Sequence, residues 1–223
     1  MRGALLFDID GTLADTDAIH MEAFNTVLGP YGHSFDRVRY TAELQGFANL
    51  SISARFLPGL TPDAALEVMR GKEATFRELI KDMIHPVAGL LALMDRADLA
   101  GVPMVAVTNA PRLNAELLLG GIGITDRFVA VVIGEELAHG KPHPLPYLEG
   151  LRLAGADPAL SVAFEDSRSG ITSATTAGLP VYGIRTSLSP EQMAEAGAVG
   201  SADDFTDAGL LAFVDARVPG LRR

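Results

Sequence analysis

Residues 4–12 are Ala-Leu-Leu-Phe-Asp-Ile-Asp-Gly-Thr, a short apolar run that ends in two aspartates and a glycine. A run of this length, bounded by polar residues, predicts a buried β-strand from Ala4 to Phe7. Asp8 and Asp10 then lie just beyond the carboxyl end of that strand. In open parallel sheets the active site lies at this edge. The stretch therefore predicts one strand of a parallel sheet and two candidate catalytic carboxylates.

The chain beyond residue 85 predicts the rest of such a sheet, because strand patterns and helix patterns alternate there. The predicted strands are Val102 to Val107, Phe128 to Ile133, Val162 to Phe164 and Val181 to Ile184. The predicted helices are Arg112 to Leu119, Leu145 to Ala154, Ser169 to Ala177, Glu191 to Ala196 and Asp207 to Phe213. This alternation predicts an α/β fold with a Rossmann-like parallel sheet core and helices on both faces.

The stretch between the first strand and this alternating region predicts helices only. It begins with a helix from Thr16 to Leu28, and Thr61 followed by Pro62 is typical of the start of another helix. Apolar residues at helical spacing predict a buried face on that later helix, formed by Leu66, Met69, Phe76, Ile80 and Met83. We therefore expect a catalytic core of residues 1–15 and 85–223, with residues 16–84 inserted as a helical cap.

Composition excludes several classes of function. The chain of 223 residues has no cysteine, which excludes disulfides, thiolate metal sites and a cysteine nucleophile. Its net charge of −10 disfavours nucleic acids and anionic membranes as partners. The first apolar run is too short for a secretory signal, and no window approaches the ~20 apolar residues of a membrane span. We expect a cytoplasmic protein that acts as a monomer on a small molecule.

Polar residues follow the other predicted strands as well. Thr108 and Asn109 follow the second predicted strand, Lys141 comes after the third, and Glu165 and Asp166 follow the fourth. Because the carboxyl ends of parallel strands share one edge of the sheet, we expect these side chains to meet the two aspartates that follow the first strand.

The carboxylates of this group predict a metal ion. Asp8, Asp10, Glu165 and Asp166 would place up to four negative charges together, and a like-charged pair ~4 Å apart repels by about 4 kcal/mol at intermediate dielectric. The group therefore needs a cation, and hard oxygen ligands suit Mg²⁺. Lys141 would supply the remaining positive charge when a phosphate dianion binds.

These residues predict a hydrolysis in two steps. The hydroxyl of Thr108 and the amide groups around Asn109 can donate to phosphate oxygens. Asp8 would attack phosphorus and form an aspartyl-phosphate. Asp10 would give a proton to the leaving alkoxide and later take one from water. Neighbouring carboxylates should raise the pKa of Asp10, which favours its role as an acid.

At these residues the chain resembles the haloacid dehalogenase-like superfamily of phosphatases. Four motifs occur in order over nearly the whole chain: Asp8-Ile9-Asp10-Gly11-Thr12, Thr108-Asn109, Lys141-Pro142 and Glu165-Asp166-Ser167. The resemblance implies the following roles: Asp8 as nucleophile, Asp10 as acid and base with its carbonyl on the metal, Thr108 and Lys141 on the phosphate, and Glu165 and Asp166 with Asp8 around Mg²⁺. Dehalogenases of the superfamily lack the second aspartate, so its presence favours phosphoryl chemistry.

Three further segments are similar to those of broad-range sugar-phosphate phosphatases, best known from plants: Val107 to Arg112, Lys72 to Arg77 and Gly140 to Pro144. β-Phosphoglucomutase shares all four motifs, but its cap loop carries an arginine for the non-reacting phosphate where this chain has Asn49. We therefore expect Mg²⁺-dependent hydrolysis of small phosphorylated metabolites, especially sugar phosphates. A sugar phosphomutase remains an alternative, as does a non-enzymatic phosphometabolite-binding module, which would need a damaged motif.

Two residues of the predicted cap have open roles. Lys72 could be a solvated helix residue, but the sugar-phosphate resemblance favours a substrate contact from the cap. His20 lies on the first predicted helix, near the active edge of the sheet. It could steady the hinge or contact Asp10, but an ordinary solvated or packed histidine is favoured.

Overall fold

The computed structural model describes residues 2–221. Its six strands are β1 (Leu5–Phe7), β2 (Met104–Thr108), β3 (Ala130–Ile133), β4 (Val162–Glu165), β5 (Val181–Ile184) and β6 (Gly200–Ala202). They form one sheet in the order β3-β2-β1-β4-β5-β6, and every neighbouring pair is parallel. The register places Leu6 of β1 opposite Val105 and Ala163. The predicted α/β fold class is confirmed.

The central strand explains why the first stretch of the chain is continuously apolar. Successive side chains of a strand point to opposite faces of the sheet. Leu5 and Phe7 belong to the apolar cluster on one face, and Ala4 and Leu6 belong to the cluster on the other. Since both faces of the sheet are covered, a polar side chain at any position of β1 would be buried at a cost in free energy.

Ten α-helices accompany these strands within residues 2–221. They are α1 (Asp17–Leu28), α2 (Arg37–Glu43), α3 (Asn49–Phe56), α4 (Pro62–Ile80), α5 (Leu90–Ala100), α6 (Arg112–Ile122), α7 (Leu145–Ala154), α8 (Arg168–Thr176), α9 (Pro190–Ala196) and α10 (Ala208–Arg217). Helices α5, α6 and α10 pack on one face of the sheet, and α7, α8 and α9 pack on the other. None of the described helices is long and apolar enough to cross a membrane.

Helices α1 to α4, here called the helical segment (residues 17–80), lie between β1 and β2 in the chain and share an apolar cluster of their own. The side chain of Thr61 accepts a hydrogen bond from the amide of Ala64 and Pro62 begins α4, so the predicted helix start is confirmed. The predicted apolar face is wrong at Met83, which lies beyond the end of α4 and is 51% exposed.

Two elements were missed by the sequence prediction, and two strands begin two residues later than predicted. Helix α5 and strand β6 had no predicted counterpart, and β6 is a short edge strand without a long apolar run. β2 begins at Met104 rather than at Val102, and β3 begins at Ala130 rather than at Phe128. The ring of Phe128 packs against Phe7, but its backbone still belongs to the preceding turn and bonds to Thr125. The apolar side chain thus serves the core without belonging to the strand.

Candidate active site

Three adjacent strands bring most of the predicted site residues together. Asp8 follows β1, Thr108 ends β2 and Glu165 ends β4, and β2 and β4 flank β1 in the sheet. Their carboxyl ends therefore meet at one edge, as expected for a parallel sheet. Lys141 reaches the same place from the loop between β3 and α7.

The side chain of Lys141 is buried at the base of the site, and its three N–H donors are all used. Its Nζ lies 2.6 Å from Oδ1 of Asp8, 2.6 Å from Oε1 of Glu165 and 2.7 Å from the carbonyl oxygen of Val107. Burial acts to lower the pKa of Lys141, but the charges of Asp8 and Glu165 outweigh it and hold that pKa above its ordinary value. Lys141 is therefore a fixed positive charge beside the predicted nucleophile.

Glu165 is fully buried behind the carboxylates that line the cavity, and its contacts orient Lys141. Its Oε1 also accepts a hydrogen bond from the hydroxyl of Tyr147 at 2.6 Å, and its Oε2 accepts one from Ser167 at 3.2 Å. Gly170 permits this arrangement, because a Cβ there would lie 1.9 Å from Oε1. Tyr147 was missed by sequence analysis, since a tyrosine among the apolar residues of a helix predicts only a core position. A contact of Glu165 with Mg²⁺ stays a prediction.

The residues present fit a divalent cation. Asp8, Glu165 and Asp166 each offer an oxygen, and the three oxygens lie within 4.8 Å of one another. Burial raises the pKa of Asp8 to about 8, although Lys141 opposes the shift. Burial, with the charges of Asp17 and Asp8, also raises the pKa of Asp166 well above its ordinary value. Carboxylates that are this costly to ionise together, and that offer only hard oxygen atoms, suit Mg²⁺.

Gly11 allows Asp166 to lie against the loop that follows β1. Its φ is +78°, in the left-handed region that favours glycine. A Cβ at this position would lie 2.1 Å from Oδ2 of Asp166. Any larger residue would therefore displace a predicted metal ligand as well as strain the loop.

Asp10 faces the helical segment. Its Oδ1 accepts a hydrogen bond from the hydroxyl of Thr16 at 3.0 Å and lies 2.9 Å from Nε2 of His20. The Nζ of Lys72 lies 2.8 Å from Nδ1 of the same imidazole ring. Since an ammonium group can only donate, Nδ1 must accept, and Nε2 must carry the proton that is donated to Asp10. The ring of His20 therefore connects Lys72 to Asp10 through its two nitrogen atoms.

These contacts change two expectations. Burial acts to raise the pKa of Asp10, but the hydrogen bonds from His20 and Thr16, with the charge of Lys72, hold that pKa below its ordinary value. The predicted rise is wrong because Asp10 meets partners from the helical segment that stabilise its charge. His20 contacts Asp10, which sequence analysis did not favour, and it is also packed, with its ring stacked 3.8 Å from that of Phe76.

Thr108 and Asn109 both line the cavity, but their side chains make different hydrogen bonds. The Oγ1 of Thr108 accepts a hydrogen bond from the amide of Ala110 at 2.9 Å, which leaves its own proton for a ligand. The side-chain amide of Asn109 is engaged with the protein: it donates to the carbonyl oxygens of Gly46 and Lys141 at 3.1 and 3.0 Å and accepts from the amide of Lys141 at 2.9 Å. Asn109 thus holds Lys141 in place, and its contact with phosphate stays a prediction.

A family profile described as haloacid dehalogenase-like hydrolase matches residues 5–184, which contain all of these side chains. The chain belongs to this family. Among curated relatives, protein CbbY of Rhodobacter capsulatus is 32% identical over 98% of this chain and 93% of the relative. Fructose-1-phosphate phosphatase YqaB of Escherichia coli strain K12 is 32% identical over 81% of this chain and 95% of the relative.

Solved structures of the family agree with this assignment. CbbY from Rhodobacter sphaeroides in complex with phosphate has a TM-score of 0.83 and 30% identity, covering 96% of this chain and 100% of that one. A mutant of the same protein in complex with xylulose-(1,5)bisphosphate has a TM-score of 0.79 and 28% identity, covering 94% and 97%. The enzyme class predicted from the sequence, a phosphatase of the haloacid dehalogenase-like family, is confirmed.

A buried aspartate of the site, Asp17, was also missed by sequence analysis. Asp17, the first residue of α1, is 2% exposed. It accepts hydrogen bonds from the hydroxyls of Tyr40 and Ser187, the former at 3.0 Å. The Nε2 of Gln45 lies 3.3 Å from Asp17 and 2.7 Å from Asp166, so it connects the two acidic groups. An aspartate in the first turn of a helix is common, and it gave no signal of this role.

The cavity between the helical segment and the sheet edge has a volume of about 80 Å³. The helical segment contributes Asn49, Lys72 and Glu73 to its lining, and the core contributes Thr108 and Lys141 among others. Pockets that enclose drug-sized ligands measure about 300–1,000 Å³. The arrangement therefore encloses a space close to the size of a phosphate group, and a larger substrate requires the helical segment to move.

Proposed function

We propose that this chain is a Mg²⁺-dependent phosphatase that hydrolyses small phosphorylated metabolites, sugar phosphates in particular, through an aspartyl-phosphate on Asp8. The observation that carries the proposal is the buried contact between Asp8 and Lys141, at 2.6 Å, beside Asp166 at the carboxyl end of the central strand. Phosphoryl transfer requires a nucleophile next to fixed positive charge and metal-binding oxygens. The names of the phosphatase relatives support the substrate class.

The side chains of the core have separate roles in this proposal. Asp8 attacks phosphorus as the bond to the leaving alkoxide breaks, so the phosphoryl group passes to its carboxylate. Lys141, after giving up one of its three present acceptors, and the hydroxyl of Thr108 donate to the phosphoryl oxygens over which charge spreads. Mg²⁺ bound by Asp8, Glu165, Asp166 and the carbonyl of Asp10 would offset the charge of the transferring group.

Asp10 would act on both the leaving group and the water. It must give a proton to the alkoxide in the first step and take one from water in the second. The ionised state stabilised by His20 suits the second step. An arriving phosphate dianion would raise the pKa of Asp10 by repulsion, which suits the first. His20 orients this carboxylate and Lys72 fixes the tautomer of His20, so both are positioning residues.

Residues 16–84 would act as a cap over the site, with the remaining residues as the catalytic core. The helical segment has its own apolar cluster, so it can move as one body. Its contacts with the core are partly apolar, through Ala23, Phe76 and Ile80, and partly polar, such as the hydrogen bond from Asn109 to Gly46. Opening would admit a substrate larger than the present cavity, and closing would exclude bulk water from the aspartyl-phosphate.

The site favours hydrolysis over the mutase alternative. A mutase must hold the non-reacting phosphate of a bisphosphate intermediate. At the position where an arginine is expected for this purpose, this chain has Asn49. The amide of Asn49 is already engaged with Glu73 at 2.9 Å and with Glu135 at 3.3 Å. With β-glucose 1-phosphate and a trace of glucose 1,6-bisphosphate, we expect free phosphate to appear faster than glucose 6-phosphate. The opposite order would replace the hydrolase proposal with the mutase.

The test of the proposal is phosphate release from a panel of sugar phosphates, with Mg²⁺ and with EDTA. We expect turnover with Mg²⁺ and none with EDTA, and mass spectrometry of quenched enzyme should locate phosphate on Asp8. Absence of turnover on every phosphate ester in the panel, with folded protein and Mg²⁺, would leave the binding-module alternative. Full activity in metal-free buffer would contradict the role of the carboxylates.

A further inference from the structure

The cavity of this site is rich in negative charge. Five carboxylates line it: Asp8, Asp10, Asp17, Glu73 and Asp166. The cations in the lining are two lysines, Lys72 and Lys141. Within residues 2–221 no arginine contributes to the lining, but Arg37 pairs with Asp17 from outside it at 3.0 Å. A divalent cation would offset only part of this excess. Only a few groups in the site can therefore offer positive charge to a bound phosphate.

Both lysines are already committed to other residues. Lys141 contacts Asp8 and Glu165 and would be used by the phosphate that reacts. Lys72 is 3% exposed, and its Nζ lies 3.1 Å from Oε1 of Glu73 and 2.8 Å from the ring of His20. A second anionic group on the substrate would find no unpaired cation among the lining residues.

The leaving group would meet carboxylates rather than cations. In an in-line displacement it points away from the nucleophile, and here Asp8 lies at the sheet edge beneath the helical segment. The carboxylates that this segment contributes to the cavity are Asp17 of α1 and Glu73 of α4. Amides of Asn49 and Asn114 donate to Glu73 at 2.9 and 2.6 Å, and they fix its carboxylate in place.

Glu73 remains ionised despite its burial. Burial acts to raise the pKa of Glu73, but the charge of Lys72 and the hydrogen bonds from Asn49 and Asn114 hold that pKa below its ordinary value. An ionised carboxylate accepts hydrogen bonds and donates none. It can bind a hydroxyl of the substrate, and it repels a phosphate or a carboxylate.

We propose that the substrates carry a single phosphate on an uncharged, hydroxyl-bearing remainder, and that Glu73 excludes molecules with a second phosphate or a carboxylate. The inference rests on the proposed phosphatase function and narrows it. Fructose 1-phosphate, named for the Escherichia coli relative, fits this class. Xylulose 1,5-bisphosphate, bound by the Rhodobacter sphaeroides protein, does not.

Two matched pairs of substrates test the proposal with the wild-type enzyme and Mg²⁺. In the first pair, glycerol 3-phosphate carries a hydroxymethyl group where 3-phosphoglycerate carries a carboxylate. Fructose 1-phosphate and fructose 1,6-bisphosphate differ by a second phosphate. We expect kcat/KM to favour the uncharged member of each pair by at least about 10-fold, the size of effect that unfavourable like-charge contacts produce. Equal or better hydrolysis of the charged member in either pair would overturn the proposal.

The variant Glu73→Gln tests the residue itself. It removes one negative charge at nearly constant shape and releases Lys72, so kcat/KM for the charged member relative to the uncharged member should rise about 10-fold. Glu78→Gln is the matched control, since Glu78 is an exposed residue of the same helix that pairs with Lys81. This control should leave the ratio unchanged. An unchanged ratio in Glu73→Gln, or an equal shift in the control, would contradict the assignment.

Two features keep the test independent of folding and of the proposed function. A ratio of two substrates on one preparation does not depend on the fraction of active enzyme. If Glu73→Gln fails to fold, Asn49→Arg adds a cation beside Glu73 and should raise the same ratio; no rise would contradict the proposal. Failure of the proposed function shows as no hydrolysis of any monoester, whereas failure of this inference shows as hydrolysis without charge discrimination.

Discussion

Asp8 and Asp10 are two residues apart in the chain, yet their surroundings differ because they face different parts of the molecule. Asp8 faces Lys141 of the core, and burial raises its pKa. Asp10 faces His20 and Lys72 of the helical segment, which help to hold its pKa below its ordinary value. Two identical side chains thereby have environments that suit the two proposed tasks, nucleophile and proton carrier.

The variant Asp8→Asn should abolish turnover, because an amide cannot form the acyl phosphate. We expect at least about a 100-fold loss of kcat in phosphate-release assays, and no covalent phosphate on the protein. Circular dichroism controls for folding. If the purified variant kept more of its activity than this, another residue would be the nucleophile.

The variant Asp10→Asn should retain the backbone carbonyl for the metal but lose proton transfer. First-step rates should fall steeply for sugar phosphates and much less for p-nitrophenyl phosphate, whose leaving group needs no proton. Single-turnover kinetics with both substrates separates this step from hydrolysis of the intermediate. Equal losses for the two substrates would contradict the role of Asp10 as an acid.

At the scale of elements, α4 connects the helical segment to the core through α6. The fully buried Asn114 of α6 accepts a hydrogen bond from Arg77 at 2.8 Å and donates to Glu73 at 2.6 Å. Glu73 in turn pairs with Lys72, the partner of His20. A single asparagine outside the four motifs therefore supports the residues that orient Asp10.

The variant Asn114→Leu should lower both stability and turnover. It removes the hydrogen bonds that Asn114 makes to Glu73 and Arg77, at a cost of roughly 2 kcal/mol or more of the free energy of unfolding. Urea denaturation measures this loss, and kcat should fall with it because Glu73 no longer fixes Lys72.

Thr61→Ala provides the comparison within α4. Loss of this helix cap should cost about 1 kcal/mol of stability, but kcat should not change, because Thr61 lies at the exposed start of the helix and outside the cavity lining. A loss of turnover in Thr61→Ala as large as that in Asn114→Leu would mean that stability alone controls the activity.

At the scale of the whole molecule, a chain with a net charge of −10 places several of its carboxylates in one buried site. Asp8 and Asp166 both have raised pKa values, so their ionised forms cost free energy in the folded protein. A cation that binds the folded protein but not the unfolded chain would offset this cost and therefore stabilise the fold. Metal binding would thus couple the proposed catalysis to stability through the same oxygen atoms.

Addition of Mg²⁺ should therefore raise the melting temperature, and EDTA should reverse both this rise and the activity. A concentration of 100 times the Kd corresponds to about 2.7 kcal/mol of added stability. The variant Asp166→Asn should show no such rise, while its stability without metal should equal or exceed that of the wild type because one repelling charge is gone. A normal Mg²⁺ response in Asp166→Asn would exclude Asp166 as a ligand.

The predicted monomeric state, and the predicted lack of nucleic-acid and membrane partners, stay predictions.

Local patterns were sufficient for the architecture and for the four motifs. A strand covered on both faces must be continuously apolar, so residues 4–7 could be assigned without their neighbours. The helix start at Thr61 and Pro62 likewise depends on chemistry within one turn. Strand β6 could not be found in this way, because its three residues at the sheet edge carry little apolar signal.

The sequence by itself determined which chemical groups lie at the edge of the sheet, since the chain order of strands and motif residues is enough to place them there. The tertiary structure alone decided how these groups are charged and held. His20 and Lys72 reverse the expected pKa shift of Asp10, and Asp17 joins Asp166 through Gln45 across more than a hundred residues of chain. Hydrogen bonds and electrostatic fields depend on distances in space, and these are set only when the helical segment packs over the sheet.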